Sequence, residues 1–368
     1  TFLGTCRALH PWVALDGTNY LGAGTNLKYY INEGGAYHDI TPIRLISGAG
    51  DATFATGADT IDGAIDAVAT SILLDSVTGF PVSGRIKIDN EEMTYAAISS
   101  NNLTGVTRGV NGTAAAAHAD GAAITCATIT VTEVDHEALV NDFVTFTDAA
   151  TLGGTITAAV LNQEYEITAI VSDDIFQIDA RTVSTIGSIT TTDGLNPTFV
   201  YSNASDSGSG GGATVATYQI NTGLDTTIAG NGWGAGTWGR GTWNSNADLS
   251  ATGQTLRIWS HDNFGEDLII NVRDAGLFYW DKSNGVSTRA VALNSLSGAN
   301  AVPTIAKQVL VSDIDRHVIA FGCDSETNPG TQDPLLIRFS DQENVAEWQS
   351  LATNTAGDLR IGSGSKII

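Results

Sequence analysis

LRIWSHDNFGEDLIINVRDAGLFYWDKSNGVSTRAVAL, residues 256–293, is the stretch on which the reading of the fold turns. It contains four strand-length runs: Leu256 to Ser260, Asp267 to Val272, Leu277 to Trp280 and Arg289 to Leu293. Short runs of apolar and β-branched residues broken by turn formers describe a four-stranded antiparallel meander, the size of one propeller blade. A second such unit follows in Lys307 to Val311, Val318 to Gly322, Pro334 to Phe339 and Glu347 to Leu351. Another lies near the start, in Phe2 to Leu9, Thr18 to Ala23, Leu27 to Ile31 and Ala36 to Ile40. Its breaks fall at Asp16-Gly17, Gly22 to Asn26 and Glu33-Gly34-Gly35. In the later units an aromatic–acid or aromatic–serine pair closes a strand: Trp280-Asp281, Trp259-Ser260, Phe339-Ser340. The units are spaced by roughly 40 to 50 residues, the period of propeller blades. Propellers close with about four to eight blades, so three imply further ones. Both ends of the chain, Phe2 to Leu9 and Gly364 to Ile368, read as strands cut mid-course rather than fraying tails, and a piece of a longer polypeptide is the expectation.

Between the first unit and the later ones the composition changes. Residues 48 to about 225 are dominated by Thr, Ala, Ile and Val, and Trp is absent. One insert holds Ile72 to Val77, Gly84 to Asp89, Glu92 to Ile98, Asn102 to Val106 and Ala122 to Cys126, with period-two alternation in Arg85-Ile86-Lys87-Ile88 and a hairpin at Asn101-Asn102. A second holds Thr128 to Thr132, Asp142 to Phe146, Glu164 to Val171 and Ile175 to Ile178, with a tight turn at Ser172-Asp173-Asp174. Each is the size of a small β-sandwich or β-barrel. The Gly/Ser run of residues 202–213 reads as a connector back to the blades. The expected layout is therefore all-β: a first propeller-like blade in 1–47, a first β insert in 48–126, a second insert with its connector in 127–225, and further blades in 226–368.

Whole-chain numbers agree with this class. Hydrophobic residues make up 42% of the 368, enough for packed cores, while charged residues make up only 15%. An average soluble domain carries about 25% charged residues, and here Gly, Thr, Ser, Ala and Asn fill the difference. The net charge is −23, from 40 acidic and 17 basic residues. Such a surface repels phosphate and releases no counterions from DNA, which argues against nucleic-acid binding. A passage through which DNA slides without sticking remains compatible. Cys6, Cys126 and Cys323 are odd in number and far apart, so they suggest neither a zinc ribbon nor a disulfide framework. No apolar run approaches the roughly 18 residues of a membrane-spanning helix.

The segment Gly232-Trp233-Gly234-Ala235-Gly236-Thr237-Trp238-Gly239-Arg240-Gly241-Thr242-Trp243 sets three Trp five residues apart among glycines. A strand would place Trp233 and Trp238 on opposite faces, and a helix does not tolerate so much Gly. An irregular loop is left. Its rings Trp233, Trp238 and Trp243, with Arg240 between them, are the candidate binding or interface residues. They either stack on a saccharide or wedge into a protein interface. Elsewhere the motifs for bond-making chemistry are missing. There is no GxSxG elbow, no HExxH and no P-loop, and the six His are scattered. Asp313 and Asp315, and the loop Asp324 to Asn328, lack EF-hand spacing and read as Asp-rich turns. The adjacent carboxylates Glu91-Glu92, Asp173-Asp174 and Glu266-Asp267 point to opposite faces of a strand, whereas glycoside cleavage needs two facing carboxyls about 5 to 9 Å apart. No cofactor and no catalytic residue is assigned, and the reading is of a protein that is not an enzyme.

Several strings resemble bacteriophage proteins. Arg7 to His10, Leu21 to Tyr30 and Tyr37 to Arg44 are similar to the opening blade of podovirus tail nozzle proteins, also called tail tubular protein B, which are related in role to packaged-DNA stabilisation proteins. Gly232 to Trp243, Val311 to Val318 and Leu336 to Glu343 are similar to segments of the same family. The stretch Ile86 to Ala122, with Thr107 to Thr113 and His118 to Gly121, resembles a small β module of phage tail proteins. The resemblance implies a propeller-based virion protein in the tail. It implies a homo-oligomer, a hexameric ring, that meets the adaptor and fibres and lets phage DNA pass without specific binding. Alternatives of other classes are a receptor- or glycan-binding tail module carried by the Trp loop, and a polysaccharide depolymerase.

Overall fold

The computed structural model describes residues 3–183, 199–201, 208–221, 258–364 and 367. They are almost entirely β. Helix is limited to one turn, Ala158–Leu161, and short 3-10 turns. The chain divides into two compact units: residues 1–44 together with 220–368, and residues 45–219.

The first unit contains three four-stranded antiparallel sheets, each an up-and-down meander whose strands lie in sequence order. The first sheet is Cys6–Val13, Asn19–Thr25, Tyr29–Glu33 and Ala36–Asp39. The second is Trp259–Phe264, Asp267–Val272, Leu277–Trp280 and Val291–Ala292. The third is Gln308–Val311, Val318–Phe321, Leu336–Phe339 and Gly357–Arg360. The expected Glu347–Leu351 strand is not the fourth of this sheet. Trp348 instead sits in the core, 1% exposed, with its indole N–H donated to the Val345 carbonyl at 2.8 Å. Gly357–Arg360 takes the edge, because Gly357 leaves room for the Phe339 ring, which a Cβ there would meet at 2.8 Å.

The second sheet is covered on both faces, which is why Asp267–Val272 reads as a continuous apolar run. Leu268, Ile270, Val272, Phe278 and Trp280 pack with Tyr20, Tyr29 and Ile31 of the first sheet and with Ile40 just after it. Ile269 and Leu277, pointing the other way, pack with Val309, Val311, Val318, Ala320, Leu336 and Trp348. At the first joint Gly24 admits the Trp259 ring, which a Cβ there would meet at 2.3 Å. Trp259 Nε1 donates to the Thr25 carbonyl at 2.6 Å, and the Tyr29 ring meets Trp259 edge-on at 5.0 Å. At the second joint the third sheet donates backbone N–H groups to side chains of the second: Val309 to Ser260 Oγ at 2.9 Å and Val311 to Asp262 Oδ2 at 2.8 Å. Buried Asn271 satisfies its amide on the carbonyls of Val272, Ala275, Gly276 and Ala306.

The second unit holds two cores. One lies between a five-stranded sheet (Ala169–Ser172, Ile175–Asp179, Thr128–Thr132, Thr53–Thr56, Gly208–Gly210) and a four-stranded sheet (Glu164–Glu166, Phe143–Ala149, Gly212–Gln219, Ile43–Ile46). The run Glu164–Val171, expected as one strand, is split at buried Ile167, so that its halves serve opposite sheets. The other core, around Ile72, Ile86, Ile88, Met93, Leu103 and Ile124, belongs to residues 58–126. That module is nested within the first: the chain builds Ile43–Ile46 and Thr53–Thr56 of the sandwich, leaves it for Ala58–Thr60, and re-enters at Thr128–Thr132. Gly57 marks the crossing, where a Cβ would meet the Phe80 ring at 2.4 Å. Arg85 and Asp179 join the two modules, as an ion pair at 3.4 Å and through Thr128 Oγ1, which accepts from Arg85 N at 2.8 Å and donates to Asp179 at 2.6 Å.

Candidate functional site

Trp233, Trp238, Trp243 and Arg240 lie outside the described residues. Among the described residues, three polar clusters are candidate sites, and the one with the most buried contacts is centred on Glu91. This residue begins the strand Glu91–Tyr95 and is 2% exposed. Arg108 grips it with both arms, Nε to Oε1 and Nη2 to Oε2, each at 2.8 Å. Gly109 N donates to Oε1 at 3.0 Å and Ala116 N to Oε2 at 2.9 Å. His118 lies between two carboxylates, with Nε2 2.9 Å from Glu91 Oε2 and Nδ1 2.9 Å from Asp89 Oδ2. Arg108 further donates to the carbonyls of Asp66 and Ala116. Burial would push the Glu91 carboxyl up, but Arg108, the Ala116 N–H and His118 outweigh it and hold it down at about 2. Its lone pairs are all engaged, which leaves it no capacity as a general base. The cluster fastens the loop from Thr107 to His118 onto the sheet. The signal was present in the strings Thr107–Thr113 and His118–Gly121, but without the pairing of 91 with 108 and 118 it had no chemical reading.

The second cluster lies where hairpin ends of the three stacked sheets converge, around a cleft of about 730 Å³ lined by Val13, Leu15, Phe264, Lys282 and Arg316 among others. Lys282 Nζ bridges Asp16 at 2.9 Å and Glu266 at 2.7 Å, and Glu266 also accepts the Leu15 N–H at 2.7 Å. Asp267 is taken up by the Lys282 N–H at 3.0 Å and by the Tyr279 hydroxyl. Glu266 thus meets the Lys282 ammonium while Asp267 meets the Lys282 backbone N–H and the Tyr279 hydroxyl. Arg316 lies over the Phe264 ring at 4.8 Å. Lys282 holds the Asp16 and Glu266 carboxyls below their ordinary range. Such exposed pairs contribute little individually.

The third cluster spans the joint between the first and second sheets. The His10 and His261 rings lie 4.8 Å apart, His10 Nε2 is 2.6 Å from Asn263 Oδ1, and His261 Nδ1 is 2.9 Å from the Tyr29 hydroxyl. Burial, then the neighbouring His10, push the His261 imidazole down to about 4. The folded state thus binds fewer protons at His261 than the unfolded chain, whose imidazole titrates near 6.5. The associated stability is complete above pH 6.5 and is lost as pH falls towards 4, on the order of 3 kcal/mol in all. Every Trp lies outside residues 45–219. Urea unfolding followed by Trp fluorescence at pH 7 and pH 4.5 therefore reads the first unit alone. The midpoint should drop with acid, and His261→Asn should flatten that drop.

Two further sets of buried polar contacts lie in the first and third sheets. Buried Lys28 pairs with Asp39 at 2.7 Å, and Arg289 approaches the same carboxylate at 3.1 Å. Burial would raise the Asp39 carboxyl, but Lys28 and Arg289 together lower it. Arg338, 3% exposed, caps the carbonyls of Asp324, Ala301 and Trp348. Buried Asp324 accepts from Thr304 N, Thr304 Oγ1 and Gly330 N, so this loop carboxylate is already committed to donors.

No family model and no curated protein matches this chain. Among solved structures it is similar to the phage phi92 endosialidase, at 10% identity and a TM-score of 0.17, over 95% of this chain and 46% of that one. The chain thus spans less than half the length of that protein. At this score the similarity establishes neither fold nor activity.

Proposed function

We propose that this chain is a structural, non-enzymatic component of a bacteriophage tail, part of an oligomeric nozzle that retains DNA and then lets it pass. The observation that carries the reading is the stack of three four-stranded meanders whose middle sheet is covered on both faces. Such stacking is how propeller blades pack, and it is what the resemblance to tail nozzle proteins implies. The strings that carry the resemblance, around Lys28–Asp39 and Arg338, fasten this stack, so the likeness concerns architecture. Charge supports the same role. The net charge of −23, from 40 acidic and 17 basic residues, gives DNA few sites to bind. Adaptor and fibre proteins are the expected neighbours in the virion.

Electron microscopy of the purified chain, with antibody labelling of particles, tests this. Rings in solution and label on the tail are expected, with no retardation of DNA at low salt. Absence of label from the tail, or turnover of host polysaccharide by the purified chain, would overturn it.

A further inference from the structure

The chain contains three Asn-Gly pairs, at 111–112, 231–232 and 284–285, of which the second lies outside the described residues. Such a pair is open to a reaction that needs no enzyme. The glycine's peptide nitrogen, unshielded by a Cβ, attacks the asparagine side-chain amide. Both described pairs are exposed, so exposure does not separate them. Hydrogen bonding does. Asn284 lies in the 3-10 turn Lys282–Asn284, and the Gly285 N–H is donated to the Lys282 carbonyl at 2.9 Å. Asn111 and Gly112 are instead the central residues of a turn closed by Thr113 N donating to the Val110 carbonyl at 3.1 Å. Their φ values, 54° and 78°, are those of a type I′ hairpin turn. Among the described residues no acceptor takes the Gly112 N–H. A Cβ built on Gly112 would meet nothing within 4 Å, so the space beside this nitrogen is open to water.

We propose that Asn111 is a modification site, converted to aspartate or isoaspartate through attack by the peptide nitrogen of Gly112. Water takes the Gly112 proton as the nitrogen bonds to Asn111 Cγ and closes a five-membered succinimide. The Cγ–Nδ2 bond breaks, and the amide nitrogen leaves as ammonia, taking up a proton. A second water molecule then opens the ring. Opening at Cγ restores the main chain and leaves aspartate, whereas opening at the backbone carbonyl leaves isoaspartate. Nothing is oxidised or reduced: an amide and water become a carboxylate and ammonium. The product fits the turn badly. Asn111 Nδ2 donates to Glu92 Oε2 at 3.0 Å, and a carboxylate in its place opposes like charge. Isoaspartate also adds a backbone carbon to a turn whose closing bond spans two residues. Thr113 Oγ1 is tied to the same place, accepting from Glu92 N at 3.0 Å and donating to the Val110 carbonyl at 2.8 Å. Conversion therefore loosens the tip of the loop that Glu91 fastens. This chemistry is independent of any role in a tail.

Peptide mapping by mass spectrometry of the native chain, aged in mildly alkaline buffer, tests it. Freeing Gly285 N costs one hydrogen bond, so Asn111 should convert about tenfold faster than Asn284. In urea-unfolded chain that difference should largely vanish. Hydrogen exchange on the aged chain should show the Val110 and Thr113 amides losing protection, and Asn111→Asp should reproduce part of that loss. Conversion of Asn284 in the folded chain as fast as that of Asn111 overturns the proposal. So does an Asn111 that stays intact in the folded chain while the unfolded chain converts. Unchanged protection of Val110 and Thr113 in converted chain overturns the loosening of the loop.

Discussion

Glu91→Ala should cost the nested module about 3–5 kcal/mol, the scale expected when one partner of a buried ion pair is removed. The reason is what remains behind. Arg108 and His118, 8% and 2% exposed, would keep their positive or polar groups in the interior without the carboxylate that both face. The N–H groups of Gly109 and Ala116 would lose their acceptor at the same time. Hydrogen exchange measures this residue by residue. The amides of Gly109 and Ala116 should lose protection first, while those of Gln308–Val311 in the other unit remain unchanged. Calorimetry should show one transition moved down by several degrees. Because the Glu91 carboxyl is held at about 2, its stabilisation is full above the ordinary carboxyl value near 4.5 and is lost as pH falls towards 2. Wild type and variant should converge in stability over that acid range. Equal protection of both amides in the two proteins would falsify the role of Glu91 as the fastening of the loop.

Trp280→Ala should destabilise the stacked sheets by a similar amount, about 3–5 kcal/mol for removing a buried Trp. Trp280 is 1% exposed, and its ring meets the edges of Trp12 at 6.4 Å and Tyr20 at 6.0 Å, both on the first sheet. The loss therefore falls on the joint between sheets as well as within one. Gly24→Ala attacks the same joint from the other side, by adding a carbon where the Trp259 ring already lies, and overpacking of that kind costs about 1–3 kcal/mol. Urea midpoints read by fluorescence of the remaining Trp should fall for both variants. A midpoint for Trp280→Ala within error of wild type would show that the two sheets do not stabilise one another.

Much of the first unit was legible in its sequence because each meander is local. Asp267–Val272 and Leu277–Trp280 announce themselves by apolar runs bounded by turn residues, and their pairing partners are the next runs along the chain. Legibility failed where partners are distant. Nothing in Thr53–Thr56 shows that it pairs with Thr128–Thr132 across a whole nested module. Glu347–Leu351 carries strand-like residues, yet the size of Trp348 makes it a core plug instead. The Glu91 cluster was half visible. The Glu91-Glu92 pair drew attention as a possible hydrolytic site, but its meaning lay in Arg108 and His118, 17 and 27 residues away, which only folding brings to the same carboxylate. Lys28, Asp39 and Arg338 likewise carried no chemical reading in the sequence. The structure shows buried Lys28 and Arg338, and part-buried Asp39, as polar anchors.

The interruption of the stack by residues 45–219 bears on how the chain is made. On the ribosome the first sheet is finished when Asp39 emerges, but the strands that cover its inner face, Trp259–Phe264 to Leu277–Trp280, are still to be translated. At about 5–20 residues per second the delay is on the order of ten to fifty seconds. Throughout it Tyr20, Tyr29 and Ile31 stay wet, on a sheet face that awaits its cover. The intervening modules, each with its own core, can mature during that interval. Nascent chains stalled before residue 259 should accordingly recruit chaperones that chains released past residue 280 no longer need.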